Sequence, residues 1–194
     1  PTSNFAVYIT DSTLASSGGG ITVTGKSDGS QGVYISGNVD LSPATGAVIT
    51  GTNVSAGSYS TGLNVEGNIT GTGDLTFNGT TAGDGNGVWI GYASLMRTGK
   101  FTVNGTASSP NYSGVGVTNT SIRTGGGDIL LSSADGVDIY ASSLVSGNGA
   151  ITVHGGSPTY PWVGTSIVNS HLDAGTGTVE IKGESLGDSG TVLS

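Results

Sequence analysis

Two histidines and thirteen carboxylates are the residues of this chain able to do acid–base chemistry, and their spacing gathers no catalytic set. Glycan cleavage needs two carboxylates facing one another across the scissile bond, or acids grouped with a basic residue or a bound calcium. Here Asp11, Asp40, Glu66, Asp74, Asp128, Asp138, Asp173 and Glu180 recur at unlike positions of the sequence pattern. Neither His154 nor His171 has a serine and an acid at the spacing of a nucleophilic triad. The segment Gly83-Asp84-Gly85-Asn86-Gly87 has calcium-loop composition, yet it lacks the closing glutamate of an EF-hand and the nonapeptide calcium repeat, so it reads as a tight turn. The expectation is a protein that is not an enzyme and needs no metal or other cofactor.

Recognition chemistry is better represented. Tyr8, Tyr34 and Trp89 fall at one repeat position, shared with Asn64, Gly116, Asp138 and Ser166, and outward aromatics in such a column can hold sugar rings or a protein partner. A second group, Tyr59, Tyr112, Tyr160 and Trp162, falls in longer loops. The run Ser157-Pro158-Thr159-Tyr160-Pro161-Trp162 holds two prolines, which lower the entropy cost of presenting its aromatics. These seven aromatics are the candidate ligand contacts, with Tyr160 and Trp162 as the expected anchors. Asn-x-Ser/Thr sequons begin at Asn53, Asn68, Asn78, Asn104, Asn111 and Asn119; a sugar is expected to fit loop residue Asn111 but not Asn68, which is aligned with Ser12, Ser142 and Ser170. Thr22, Thr76, Thr102 and Thr152 form part of a column of the kind an ice-binding face uses, interrupted by Leu130 and Glu180.

All of these positions are defined by one repeated phrase. The apolar pair Val7/Ile9 returns as Val33/Ile35, Leu63/Val65, Val88/Ile90, Val115/Val117, Val137/Ile139 and Thr165/Ile167. Each is followed by a lone apolar residue (Leu14, Val39, Ile69, Leu95, Ile122, Leu144, Leu172), then by a second group: Ile21/Val23, Val48, Leu75/Phe77, Phe101/Val103, Ile129/Leu131, Ile151/Val153 and Val179/Ile181. The period of about 22 to 30 residues marks a solenoid, and alternation such as Ile151-Thr152-Val153 marks strands with one buried face. Glycine-rich links such as Gly125-Gly126-Gly127 supply the corners. A single coil buries too little to offset its backbone entropy, so the coils must stack in parallel and share one core. The fold class is therefore all-β: a right-handed parallel β-helix of about seven coils, three short strands to a coil, forming one segment over residues 1–194. With strand-like phrases at Val7 and Thr191-Val192-Leu193 near its two ends, the chain reads as a piece of a longer β-helix.

Composition narrows the partners. Five basic residues against 13 acidic ones give a net charge of −8, which disfavours nucleic acid and anionic membrane surfaces. No apolar run is long enough to span a bilayer, so no membrane insertion is expected. The chain has no cysteine, which fits either a reducing cytosol or export in an unfolded state.

The phrases "GVDIYASSLVSGNGAITVHGGS" and "GVTNTSIRTGGGDILLSS" resemble the repeats of large bacterial exoproteins of the filamentous haemagglutinin type, secreted by the two-partner route. The resemblance covers essentially the whole chain, in its rhythm of apolar pair, Ser-x-Leu, glycine corner and "ITV" strand. It implies a secreted β-helical filament at a Gram-negative cell surface, associated with the outer membrane and exported through an outer-membrane secretion partner. It further implies an adhesin, or the stalk of a contact-dependent growth inhibition effector, that meets a cell-surface receptor or glycan. It carries over no catalytic residue. The alternative is a carbohydrate-active β-helix enzyme or sugar-binding module, for which the outward aromatics speak.

Overall fold

The computed structural model describes residues 5–57, 60–157, 164–185 and 190–194. It is a parallel β-solenoid of about seven turns, and none of the described residues is helical. The first face is built from the leading halves of β1 (Phe5–Ser16) and β3 (Gln31–Pro43), then β5 (Thr61–Val65), β8 (Val88–Gly91), β11 (Val115–Thr118), β14 (Val137–Tyr140), β17 (Thr165–Val168) and β20 (Thr191–Leu193). The second face continues β1 and β3 into β6 (Asn68–Thr70), β9 (Ser94–Arg97), β12 (Ser121–Thr124), β15 (Ser143–Val145) and β18 (His171–Asp173). The third face is β2 (Ile21–Ser27), β4 (Ala47–Asn53), β7 (Leu75–Thr81), β10 (Phe101–Ala107), β13 (Ile129–Ser133), β16 (Ile151–Ser157) and β19 (Val179–Ser185). All pairings are parallel and join equivalent strands of successive coils. At about 4.8 Å per strand, seven coils make a rod on the order of 34 Å long.

The first two faces belong to one hydrogen-bonded sheet because β1 and β3 run unbroken round the corner between them. There the chain takes a left-handed residue, Asp11 at φ 44° in the first coil and Gly37 at φ 69° in the second, and Asn38 N donates to Asp11 Oδ1 at 2.9 Å. Later coils break their strands at the same corner and put Tyr92, Asn119, Ala141 and Asn169 in the left-handed region, at φ 52°, 48°, 48° and 50°. Hydroxyls close this corner along the stack. Ser142 N donates to Ser170 Oγ and Thr120 N to Ser142 Oγ, both at 3.1 Å, while each serine returns its proton to a backbone carbonyl.

The apolar columns fill the interior as the alternation requires: Val33, Ile35, Leu63, Val65, Val88, Ile90, Val117, Ile122, Ile129, Leu131, Ile139 and Ile151 are fully buried. Phe77 and Phe101 meet edge to face at 5.4 Å in the middle of the third face. Three expected equivalences shift by a residue or two. Val48 points outward, in register with Thr22 and Thr76, while Ala47 and Ile49 take the core sites. Leu14 pairs with Leu41 rather than Val39, because β3 carries one residue more than β1 at the corner and Ser12 falls opposite Val39. Asn68 aligns with Ser94, Ser121, Ser143 and His171, one place beyond the Ser142 and Ser170 ladder.

Where the third face returns to the first, the two backbones touch. A methyl group on Gly79 would lie 2.0 Å from Gly87 O, and one on Gly105 would lie 1.8 Å from Gly114 O. The same contact recurs as Gly25 on Gly32, Gly51 on Gly62, Gly155 on Gly164 and Gly183 on Gly190. At the opposite corner the interior is wide enough to hold Arg97, which is 4 % exposed. Its Nη1 donates to Leu41 O (2.6 Å) and Thr70 O (3.0 Å), and its Nη2 to Thr72 O (2.6 Å) and Gly73 O (3.2 Å). Gly71, at φ 135°, leaves the space: a β-carbon there would come within 2.5 Å of Nη1. Burial lowers the arginine's pKa, and Asp40 and Asp74 oppose that shift.

Gly105→Ala should cost about 3 kcal/mol or more, since the clash is with backbone that cannot yield. Gly18→Ala, at a corner with open space around the added methyl, should change stability by less than about 1 kcal/mol. Chemical denaturation of the two variants beside the parent checks the pair. Arg97→Met should cost about 3 kcal/mol by leaving buried carbonyls without their donor, which the same titration measures.

Candidate ligand-binding face

Alternation sends every second residue of the first face outward, and the in-register stack sets those residues above one another. The ladder Tyr8, Tyr34, Asn64, Trp89, Gly116, Asp138, Ser166 is continuous through six successive pairings, as expected from the repeat. Tyr8 and Tyr34 stack nearly parallel, with centroids 5.3 Å apart and planes 8° from one another, and Phe5 packs on both at 5.4 and 4.9 Å. Two coils beyond Tyr34, about 10 Å along the axis, Trp89 lies over Gly91 of its own strand and borders Gly116 of the next. A β-carbon on Gly91 would be 2.0 Å from Trp89 Cη2, so the glycine serves as a bed for the indole. Tyr92 continues this group, its ring 6.3 Å from Trp89 at 60°.

Between the two aromatic groups sits a polar pair. Tyr34 Oη donates to Glu66 Oε2 at 3.0 Å, and Asn64 Nδ2 donates to Glu66 Oε1 at 3.4 Å. Asn64 is 8 % exposed, and its Oδ1 is buried without a hydrogen-bond donor. Burial first, and then the hydrogen bond and charge of Glu66, push the Tyr34 phenol up to about 12. Tyr8 and Tyr92 stand 52 % and 70 % exposed, so the strip presents ring surface to solvent at both ends.

The other candidates divide. Tyr112 is described: it is half-buried in the turn after β10, and its N donates to Ser109 O at 3.4 Å. Tyr59, Tyr160 and Trp162 lie outside the described residues. Among the sequons, Asn53 is buried and donates to Gly29 O at 2.8 Å, which leaves no room for a sugar, whereas Asn111 is exposed. Asn68 and Asn104 each donate to the asparagine one coil earlier, Asn38 and Asn78, at 2.8 and 2.9 Å. His154 and His171 stand on the third and second faces, and no group of three or more histidine, cysteine or acidic residues is gathered among the described residues. Asp84, in the glycine-rich turn, accepts from Ser109 Oγ at 2.6 Å.

Sequence reasoning located Tyr8, Tyr34 and Trp89 but missed Glu66, Tyr92, Phe5 and the bed at Gly91. Glu66 was readable, being two places beyond Asn64 on the same outward side. Tyr92 was not, because it belongs to the corner and not to the alternation.

No family model matches the chain, and no curated protein or solved structure matches it. The resemblance to haemagglutinin-type repeats therefore rests on rhythm alone, and the β-solenoid is what the structure adds to it.

The Tyr34–Glu66 bond predicts a pH signature. A phenol whose pKa is higher in the folded state than in the unfolded one contributes stability that is fully present below about 10. That contribution is lost as the pH rises through about 12. Ultraviolet titration should show one tyrosine ionising last, and Glu66→Gln should bring its midpoint down.

Proposed function

We propose that this chain is a rigid β-helical stalk of a secreted filament at a bacterial cell surface, and that it makes adhesive contact through the aromatic strip of its first face. The observation that carries the reading is the combination of an unbroken in-register stack with exposed aromatics on one side of it. The stack gives stiffness, since every coil is bonded to the coils beside it through the described strands. The strip gives contact, because tyrosine and tryptophan are the side chains most enriched at binding hot spots. The haemagglutinin-like rhythm and the absence of cysteine are in keeping with two-partner secretion through an outer-membrane partner. A host or bacterial receptor, protein or glycan, is the partner class.

The test is adhesion by the isolated chain. Beads coated with it should retain epithelial or bacterial cells, and the double variant Tyr8→Ala/Trp89→Ala should retain about tenfold fewer while its strand spectrum and melt stay unchanged. Failure of the folded parent to hold any cell type would leave the stalk without an adhesive role. Incubation with neutral and acidic polysaccharides separates the enzymatic alternative, since cleavage would release new reducing ends or unsaturated products.

A further inference from the structure

The strip's own chemistry narrows what it holds. Building on the adhesive reading above, we infer that Tyr92, Trp89, Asn64 and Glu66 form a binding site for a neutral glycan chain lying along the solenoid axis. Three observations converge on this.

The first is an expense without structural return. Tyr92 occupies the left-handed corner at φ 52°, where the equivalent residues of later coils are Asn119, Ala141 and Asn169. Asparagine tolerates that conformation and bulky side chains resist it. Tyr92 nevertheless stands there with 70 % of its surface in water, so burial does not compensate for its backbone. Strain held at an exposed aromatic is the pattern of a residue kept for contact.

The second is spare acceptor capacity beside the rings. Glu66 accepts one hydrogen bond on each oxygen, from Tyr34 and Asn64, which fixes the carboxylate while leaving lone pairs for further donors. Asn64 is itself buried, so its part is to hold the carboxylate in place from below. A ligand edge rich in hydroxyl donors, entering between Tyr34 and Trp89, meets the remaining lone pairs of Glu66. Its C–H faces meet the indole and phenol rings, which is how a pyranose presents itself.

The third is charge. Among the described residues, the outward positions of the first face carry Glu66 and Asp138 and neither lysine nor arginine. An anionic sugar would meet carboxylates with no cation to offset them. The strip runs from Tyr8 to Trp89 over three strand spacings, about 14 Å, the length of a short oligosaccharide.

The experiment titrates the full chain with cello-, xylo- and manno-oligosaccharides, and separately with oligogalacturonate and a heparin oligosaccharide, following tryptophan fluorescence. At least one neutral series should bind, and the acidic ones should not. Trp89→Ala should weaken that binding about thirtyfold. Tyr92→Asn should weaken it about tenfold while raising the melting midpoint, an opposition that a purely structural tyrosine would not produce. Preferential binding of the acidic probes, absence of binding to every neutral series, or neutral binding indifferent to both substitutions overturns the inference. Cell retention that survives periodate oxidation of the cells would preserve the adhesive reading and remove the glycan.

Discussion

Backbone contact along one edge governs the shape of this molecule. At the return from the third face to the first, glycines such as Gly79 and Gly105 rest directly on the carbonyls of Gly87 and Gly114. No other residue type allows two main chains to come so near. The cross-section is pinched shut on that side and opens towards the second face. Side-chain volume therefore has to grow across the core, from glycine at the seam, through valine, isoleucine and phenylalanine, to the wide corner that admits a whole guanidinium group. The fifth coil carries the exception: Ser133 replaces the third-face glycine, and its Oγ accepts from Asp135 N at 2.9 Å.

The interior columns were legible because two periodicities coincide, alternation within a strand and recurrence between coils. Where one weakens, the reading slips. In the second coil Val48 stands between Ala47 and Ile49, and hydrophobicity alone prefers valine to alanine as the buried residue. The three outward neighbours of that column decide otherwise, since Thr22, Thr76 and Thr102 share its register. Leu14 slipped because the corner of β3 holds an extra residue, a local insertion that leaves composition unchanged. The glycine seam was hidden by abundance: with 37 glycines in the chain, those in contact look no different from those that merely turn. Arg97 was hidden by its charge. Alternation from Leu95 sends Met96 out and Arg97 in, the reverse of what polarity alone would choose, and 56 residues separate the guanidinium from Leu41 O.

The candidate site shows the same division. Tyr8, Tyr34 and Trp89 were visible as a column because the stack repeats them at one phase. What turns a column into a site is the filling between its members, and that depends on side-chain reach. Glu66 extends from just past its strand to meet the Tyr34 hydroxyl of the coil before it. The bare Cα of Gly91 lets the indole lie down where any other residue would prop it up.

Arg97 also bears on how the rod carries load. A parallel solenoid pulled along its axis peels from an end, one coil at a time, and each freed coil of about 25 residues lengthens the chain by roughly 80 Å. The ladders offer similar resistance from coil to coil. The guanidinium breaks that uniformity: rooted in the fourth coil, it bonds to carbonyls of the second and third, so peeling either of those turns away also breaks bonds to the fourth. Under tension it is a clasp set inside a zip, and it lies beneath the same coils that bear the aromatic strip.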